Sequence, residues 1–346
     1  MHTIMRSLLL TSVAALSLTA NGLQAYAAEI KKIAIVAPEQ GTDFGWNQQG
    51  IEGARKAAEK MGVEIIVADG LGYGNIRPTL RELAEDGAQL IIAHASGYTT
   101  DAIEVAKENK IYVAAGAPSE PPLIGDYELT AESGAYLAGV LAAKTTKTKT
   151  IGIVVSSESP NWNAQSAGFV QGVRSVDPKI TVRYAIIGPA AYSDVAGARR
   201  VTESVIASGA DIIFGQGNGS SFGMIQAVET VKPPSGDKVW FIDVIGDKSS
   251  IDKGHLLSSV LWDMSPIFAK MIEDIRADRF GKVDYALSLT DGSQRLLKTK
   301  YISEDLWKEL EATKAKMISG DIKVKMVTDP QETRKMMSQT IDSASK

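Results

Sequence analysis

The residues that could carry chemistry are few, and most of the familiar reactive groups are missing. No cysteine occurs in the 346 residues. Disulfides, thiolate metal sites and cysteine nucleophiles are therefore excluded. The only imidazoles are His2, His94 and His255, and none stands in an HExxH-like spacing that would ligate zinc. No GxSxG elbow is present to expose a serine nucleophile. Gly70-Leu71-Gly72-Tyr73-Gly74 follows a strand-like run but breaks the dinucleotide GxGxxG spacing at Asn75. Gly215-Gln216-Gly217-Asn218-Gly219 breaks it at Ser220, and neither run reads GxxxxGK[ST]. No cofactor is expected, and these glycines read as places of close backbone approach.

What remains is a set of rings, amides and carboxylates, each just after a short apolar run. Asp43, Phe44, Trp46 and Asn47 crowd one turn; His94 and Ser96 follow a second run. Ser156, Trp162 and Asn163 follow a third, and Gln216 and Asn218 a fourth. Asp243 and Asp247 end a fifth, and Trp262 ends a sixth. Rings can sandwich a flat ligand while amides and acids pair with its edge and hydroxyls. The plainer alternative is that Trp46 and Trp162 are lids on their own cores, His94 is a hydrogen-bonded loop residue and each Asp caps a helix.

The elements that must position these residues alternate as in open parallel sheets. Strand-like runs at 32–37, 63–68, 90–93 and 111–114 are separated by helical patterns, of which the first carries Ile51, Ala54, Ala58 and Met61 and stops at Gly62. The same grammar restarts with a helix at 132–143, then strands at 151–155, 181–187, 212–214 and 239–242 with helices between. A further strand is expected at 256–261, a helix around 267–275, a helix capped by Ser303 and a last strand at 322–326. Two similar series predict an α/β protein of two Rossmann-like lobes. Ligands of such sheets bind beyond the carboxyl ends of the strands, which is where the rings and amides lie.

Composition agrees with a globular protein: 44% of residues are hydrophobic and 23% charged. A net charge of −4 leaves no basic footprint for nucleic acid or an anionic membrane. Arg6, the apolar run 8–20 and Ala25-Tyr26-Ala27 have the layout of a cleaved export signal covering 1–27. A periplasmic location follows as the expectation.

With these residues in view, the chain resembles the basic membrane protein (Bmp) family, the purine-nucleoside-receptor-like substrate-binding proteins of ABC transporters. Asp43-Phe44-Gly45-Trp46-Asn47 is similar to the family's Asp-x-Ser-Phe-Asn, and Glu132-Ser133-Gly134-Ala135-Tyr136-Leu137-Ala138-Gly139 to its Glu-x-x-x-Tyr-Leu-Ala-Gly. Gly168 to Gly172, Asp177-Pro178, Gly209 to Phe214 and Leu257 to Trp262 also fit, so the similarity runs from about Ile33 to about Met264.

The resemblance implies a type I periplasmic binding protein whose lobes are joined by a three-crossover hinge, near Thr130, Asp247 and Ser288. It divides the chain into 28–129 plus 248–288, 130–247 plus 289–330, and a polar tail at 331–346. It implies a ring-stacking role for Trp46, a base-facing amide at Asn47, and Asp43 and Asp247 among the groups holding base or sugar. The family's Asp-x-Asp-Gln run reads Ile245-Gly246-Asp247-Lys248 here, so one carboxylate is replaced by Ile245 unless Asp243 substitutes through a shifted turn. A purine nucleoside, a purine base or a similar planar heterocycle all stay open. The family's lipid-bearing cysteine is absent, and the sequence pI of about 5.6 is not basic. The function implied is an unanchored, monomeric, non-catalytic receptor that presents its ligand to an inner-membrane ABC permease. A nucleoside-processing hydrolase and a sensor domain presenting its closed form to a receptor are the alternatives.

Overall fold

A computed structural model describes residues 29–338 apart from 128, 237 and 284. The export signal expected at 1–27 lies outside the described residues. Strands β1 (Lys32–Val36), β2 (Glu64–Ala68), β3 (Leu90–Ala93), β4 (Tyr112–Ala115) and β5 (Ile124–Asp126) form one parallel sheet in the order β2-β1-β3-β4-β5. Helices α1 (Trp46–Met61), α2 (Arg77–Glu85) and α3 (Thr99–Asn109) alternate with the first four strands. β1 and β3 are buried almost throughout, as parallel strands covered on both faces must be. Gly62 ends α1 as its sequence position suggested, with φ 65° and its N–H returned to Ala58 and Glu59.

The second sheet contains β6 (Thr150–Val155), β7 (Thr181–Ile186), β8 (Ile212–Gln216), β9 (Trp240–Ile245), β10 (Leu256–Trp262) and β11 (Gln294–Leu296). Their order is β11-β10-β9-β8-β6-β7, with only β11 antiparallel to its neighbour. Helices α4 (Glu132–Thr145) and α5 (Pro160–Val176) share a core with one side of this sheet, and α6 (Val195–Ala207) and α7 (Ser221–Thr230) with the other. Then come α8 (Ser265–Arg276), α9 (Glu304–Ile318) and α10 (Pro330–Ser338). Ser303 caps α9 by accepting the N–H of Leu306. No helix among the described residues is long and apolar enough to cross a membrane.

The second crossover does not fall near Asp247. β10 runs parallel to β9 with Val260 opposite Val244, so 256–262 belongs to the second sheet. The link at 246–255 contains only one turn of 3-10 helix, at Ser249–Ile251, shorter than the helical crossover usual between parallel neighbours. The chain changes lobe after Trp262. Helix α8 then packs on α1, and Arg276 donates to the Met61 carbonyl in the first lobe. The expected strand at 322–326 is not a strand. Its backbone is held instead by Gln171 on α5, which accepts the Lys325 N–H and donates to the Lys325 carbonyl. The segment expected as a polar tail begins with α10, which packs on α5 and buries Thr333 and Met337.

The Glu132–Gly139 motif acquires a physical reason from its partner helix. α4 and α5 meet backbone to backbone. A Cβ on Gly172 would fall 2.0 Å from the Tyr136 carbonyl oxygen, and one on Gly168 would fall 2.2 Å from that of Glu132. Only glycine permits this approach. Replacing Gly172 by alanine should lower stability by about 1–3 kcal/mol through overpacking, seen as a lower urea midpoint. Helix propensity alone would act the other way, by about 1 kcal/mol. A raised midpoint would show that the helices are not in backbone contact.

Candidate functional site

The carboxyl ends of β1, β3, β6 and β8 point toward a common gap, and a cavity of about 180 Å³ lies there between the lobes. In each sheet this is where the strand order reverses, between β1 and β3 and between β6 and β8, the usual site of ligand binding in open α/β sheets. Trp46 and Asn47, at the start of α1, line it from the first lobe, with Ser96 from the loop after β3. Asn161 and Trp162 at the start of α5, and Asn218 after β8, line it from the second. Tyr73 and Tyr192 line it from opposite lobes, and Tyr127 from the loop after β5. The lining contains no Asp, Glu, Lys, Arg or His among the described residues.

Trp46 is held as a fixed plate. Its Nε1 donates to the His94 carbonyl at 2.9 Å, and His94 Nε2 lies 2.7 Å from the Trp46 carbonyl. The two rings are stacked, 4.1 Å apart and 1° from parallel. A carbonyl can only accept, so Nε2 carries the imidazole proton and Nδ1 is left to accept from Tyr127 Oη at 3.1 Å. Tyr127 is fully buried and keeps its proton, burial raising its pKa well above 10. Gly50 makes room for this arrangement, because a Cβ there would sit 2.1 Å from His94 Nε2. Trp262 stands edge-on to Trp46 with centroids 6.1 Å apart.

Asp43 spends its carboxylate locally. Oδ1 accepts the N–H groups of Gly45 and Gln48, and Oδ2 accepts the Asn47 N–H and side-chain amide. It therefore organises the N-terminus of α1. Asn47 Oδ1 and Trp162 Nε1 are both buried without a hydrogen-bond partner, although their residues line the cavity. Each such group costs about 1–3 kcal/mol until a partner arrives.

The lobes touch along a seam beside the cavity. Lys248, 1% exposed, is 2.6 Å from Asp243 Oδ2 and donates to the Phe44 carbonyl across the gap at 2.9 Å. Asp243 also accepts from Ser221. Gly246 is needed here because a Cβ would meet the Phe44 oxygen at 2.0 Å. The Trp46 N–H reaches Asn218 Oδ1 at 3.4 Å, and Ser193 donates to Glu39 at 2.6 Å.

Five of the residues singled out by sequence thus line the cavity: Trp46, Asn47, Ser96, Trp162 and Asn218. His94 stands behind Trp46, and Asp43 beneath Asn47. Phe44, Asp247 and Trp262 line a separate hollow of about 260 Å³, where Trp262 Nε1 lacks a partner. Asp247 is exposed and accepts from the N–H of Ser249. Ser156, Asn163, Gln216 and Asp243 do not line the cavity: Asn163 donates to the Thr328 carbonyl, Gln216 donates to Ser166, and the Ser156 N–H donates to the Gln216 carbonyl. Asp243 cannot reach the cavity as a replacement acid, because Lys248 and Ser221 occupy it. Sequence reasoning missed Tyr73, Tyr127 and Tyr192. Tyr73 was in view as part of a glycine-rich run, and its 57% exposure at a cavity edge is the signal that run concealed.

Two facing α/β lobes around an aromatic cavity define a two-lobed solute-binding protein. The match to the PnrA-like ABC transporter substrate-binding proteins (Bmp) spans residues 30–328, and the chain belongs to that family. The match runs past Met264 to the far end of the second lobe. Basic membrane protein A2 of Borrelia garinii subsp. bavariensis is 24% identical over 319 residues, 88% of this chain and 91% of that one. A purine-binding protein of Brucella abortus is 26% identical over 198 residues, 56% of each. Among solved structures, an ABC transporter solute-binding protein from Aeropyrum pernix K1 superposes with a TM-score of 0.73 at 18% identity, covering 88% of this chain and 96% of that one. It supports the type I fold of two parallel-sheet lobes.

Burial lowers the pKa of His94 to about 4, against smaller opposing effects of the Trp46 carbonyl and Asp43. Unfolded chains protonate this histidine below about pH 6.5 while the native state resists until about 4. The unfolded state then binds more protons, so stability falls as pH drops through that window and levels off below it. Between pH 7 and 4.5 the native protein should lose roughly 2–3 kcal/mol more than a His94→Gln variant. Urea titrations at the two pH values test this, and equal losses would remove His94 as the cause.

Proposed function

We propose that this protein is the periplasmic solute receptor of an ABC importer, and that it captures a neutral purine base, purine nucleoside or similar planar heterocycle by closing its lobes on it. The observation that carries the reading is the cavity itself: aromatic plates and amides from both lobes, no Asp, Glu, Lys, Arg or His on its described wall, and Trp46 clamped from behind. A wall of this kind disfavours phosphates and carboxylates, which would be buried without a counter-charge. It favours a ring that stacks and reads amides at its edge. A cavity of about 180 Å³ suits one ring system, since about 150 Å³ is enough to admit benzene. The purine-binding Brucella relative supports the same class.

Closure follows from the two-sided wall. A ligand touching only one lobe shifts no equilibrium, whereas one contacted by Trp162 and Asn218 only on closure does. Moving from mostly open to mostly closed takes about 5.5 kcal/mol of differential binding. A stacked ring contributes about 0.5–1.5 kcal/mol beyond its burial, and each desolvated hydrogen bond about 1 kcal/mol. Apolar burial against the aromatic wall supplies the rest. The closed form would dock on a permease in the inner membrane and release its cargo there.

Calorimetry with adenine and adenosine tests the ligand class. At least one should bind, and Trp46→Ala should weaken that binding tenfold or more. Heat from neither, or an unchanged affinity in the variant, would contradict the reading. Solution scattering should show a smaller radius of gyration with saturating ligand, and superposable profiles would exclude closure.

A further inference from the structure

The lobes meet along a thin ridge. The cavity lined by Trp46 and Asn218 lies on one side of it, and the hollow lined by Phe44, Ile245 and Asp247 lies on the other. On the ridge Gly246 abuts the Phe44 carbonyl, and the rings of Phe44 and Phe222 meet edge to face with centroids 6.2 Å apart. Lys248 donates to the same carbonyl at 2.9 Å while its ammonium lies 2.6 Å from Asp243 Oδ2. Lys248 and Asp243 are buried, and neither lines the ligand cavity. The ammonium thus keeps its counter-charge within the second lobe and spends one N–H on the first. The backbone of this ridge is strained on both sides. Ile245 has φ 71° and Phe44 has φ 49°. The left-handed region is an outlier for a β-branched or bulky residue. The Gly246 N–H donates to the Val244 carbonyl at 2.9 Å, so Ile245 is the central residue of a γ-turn of the rare, strained hand. That turn brings Gly246 and Lys248 up to Phe44. Backbone of this kind persists only where its surroundings over-determine it. Ser259 holds the Gly246 carbonyl from within the second lobe, and Phe44 confines the turn from the first.

We infer that the segment 244–248 is a sprung latch between the lobes: Lys248 holds them in contact through the Phe44 carbonyl, against backbone strain at Ile245 and Phe44 that parting relieves. The inference rests on the reading of the protein as a receptor whose lobes move, and adds what sets their balance before a ligand arrives. Parting exchanges the Phe44 carbonyl for water at the ammonium and frees one side of the γ-turn. Attraction and strain therefore oppose each other at one place. That opposition keeps the two arrangements close in free energy, so a ligand with modest differential contact decides between them.

The test measures the distance between the lobes with nitroxide labels on two introduced cysteines, Glu82→Cys on α2 and Arg200→Cys on α6. Both positions are exposed, and the chain has no cysteine of its own to take up label. Without ligand, dipolar spectroscopy on the labelled full-length protein should resolve two distances, that of the structure and a second one. Lys248→Met removes the latch and leaves Asp243 without its counter-charge, so it should lower the ratio of the structural to the second distance at least tenfold. Glycine adopts a positive φ without strain, so Ile245→Gly should raise that ratio at least threefold. A ratio that Lys248→Met leaves unchanged, or that Ile245→Gly leaves unchanged or lowers, would overturn the inference. Adenine added to the unsubstituted latch should leave only the structural distance. If adenine has no effect while both variants shift the ratio as stated, the ligand reading fails and the latch stands. Should a thermal melt show that Lys248→Met does not fold, Asp243→Asn combined with Lys248→Met decides in its place, with the same direction expected. Removing both charges of a buried pair is milder than removing one.

Discussion

The site depends on the mutual grip of Trp46 and His94. Each residue hydrogen-bonds the other's backbone through its ring, and the rings lie flat against each other. This is possible because Gly50 leaves a gap on α1 large enough for an imidazole. An indole fixed in this way has little side-chain freedom left to lose, so the cavity wall it forms is already organised. Both nitrogens of the imidazole are occupied, and burial keeps it neutral.

Around that plate, the structure separates groups that line the cavity from groups that stand behind its wall. Asp43 and His94 stand behind Asn47 and Trp46, while Asp243 is buried with Lys248 at the seam. The charges that a sequence reading sets in the pocket are therefore pulled out of it and used for construction. What is left on the wall is neutral, aromatic and amide-rich, a surface suited to a flat uncharged molecule. Lys248 joins Asp243 of one lobe to the Phe44 carbonyl of the other, so the lobes are also in contact outside the cavity.

Much of the scaffold is legible in the residues, because periodicity reports burial directly. Lys32–Val36, Leu90–Ala93 and Thr150–Val155 are apolar runs that parallel sheets bury on both faces, and Gly62 and Ser303 punctuate helices by mechanisms visible in their side chains. The rest depends on partners distant in sequence. The run 322–326 has a strand's composition but pairs with no strand, and Gln171 takes its backbone instead. β10 reads as a strand, yet nothing local says that so short a link could return it beside β9. At the site, Trp46, Asn47 and Trp162 are legible as rings and amides at strand ends. That Asp43 would be consumed by three backbone N–H groups and one amide is not legible, since an acid before a helix has the same sequence whether it caps or binds.

A crystal structure of the protein grown with adenine tests the central claim most directly. The account predicts the purine ring stacked on the face of Trp46 opposite His94, with groups of the second lobe closed over it. A purine found elsewhere on the molecule, or a Trp46 ring turned away from His94 in the complex, would contradict it.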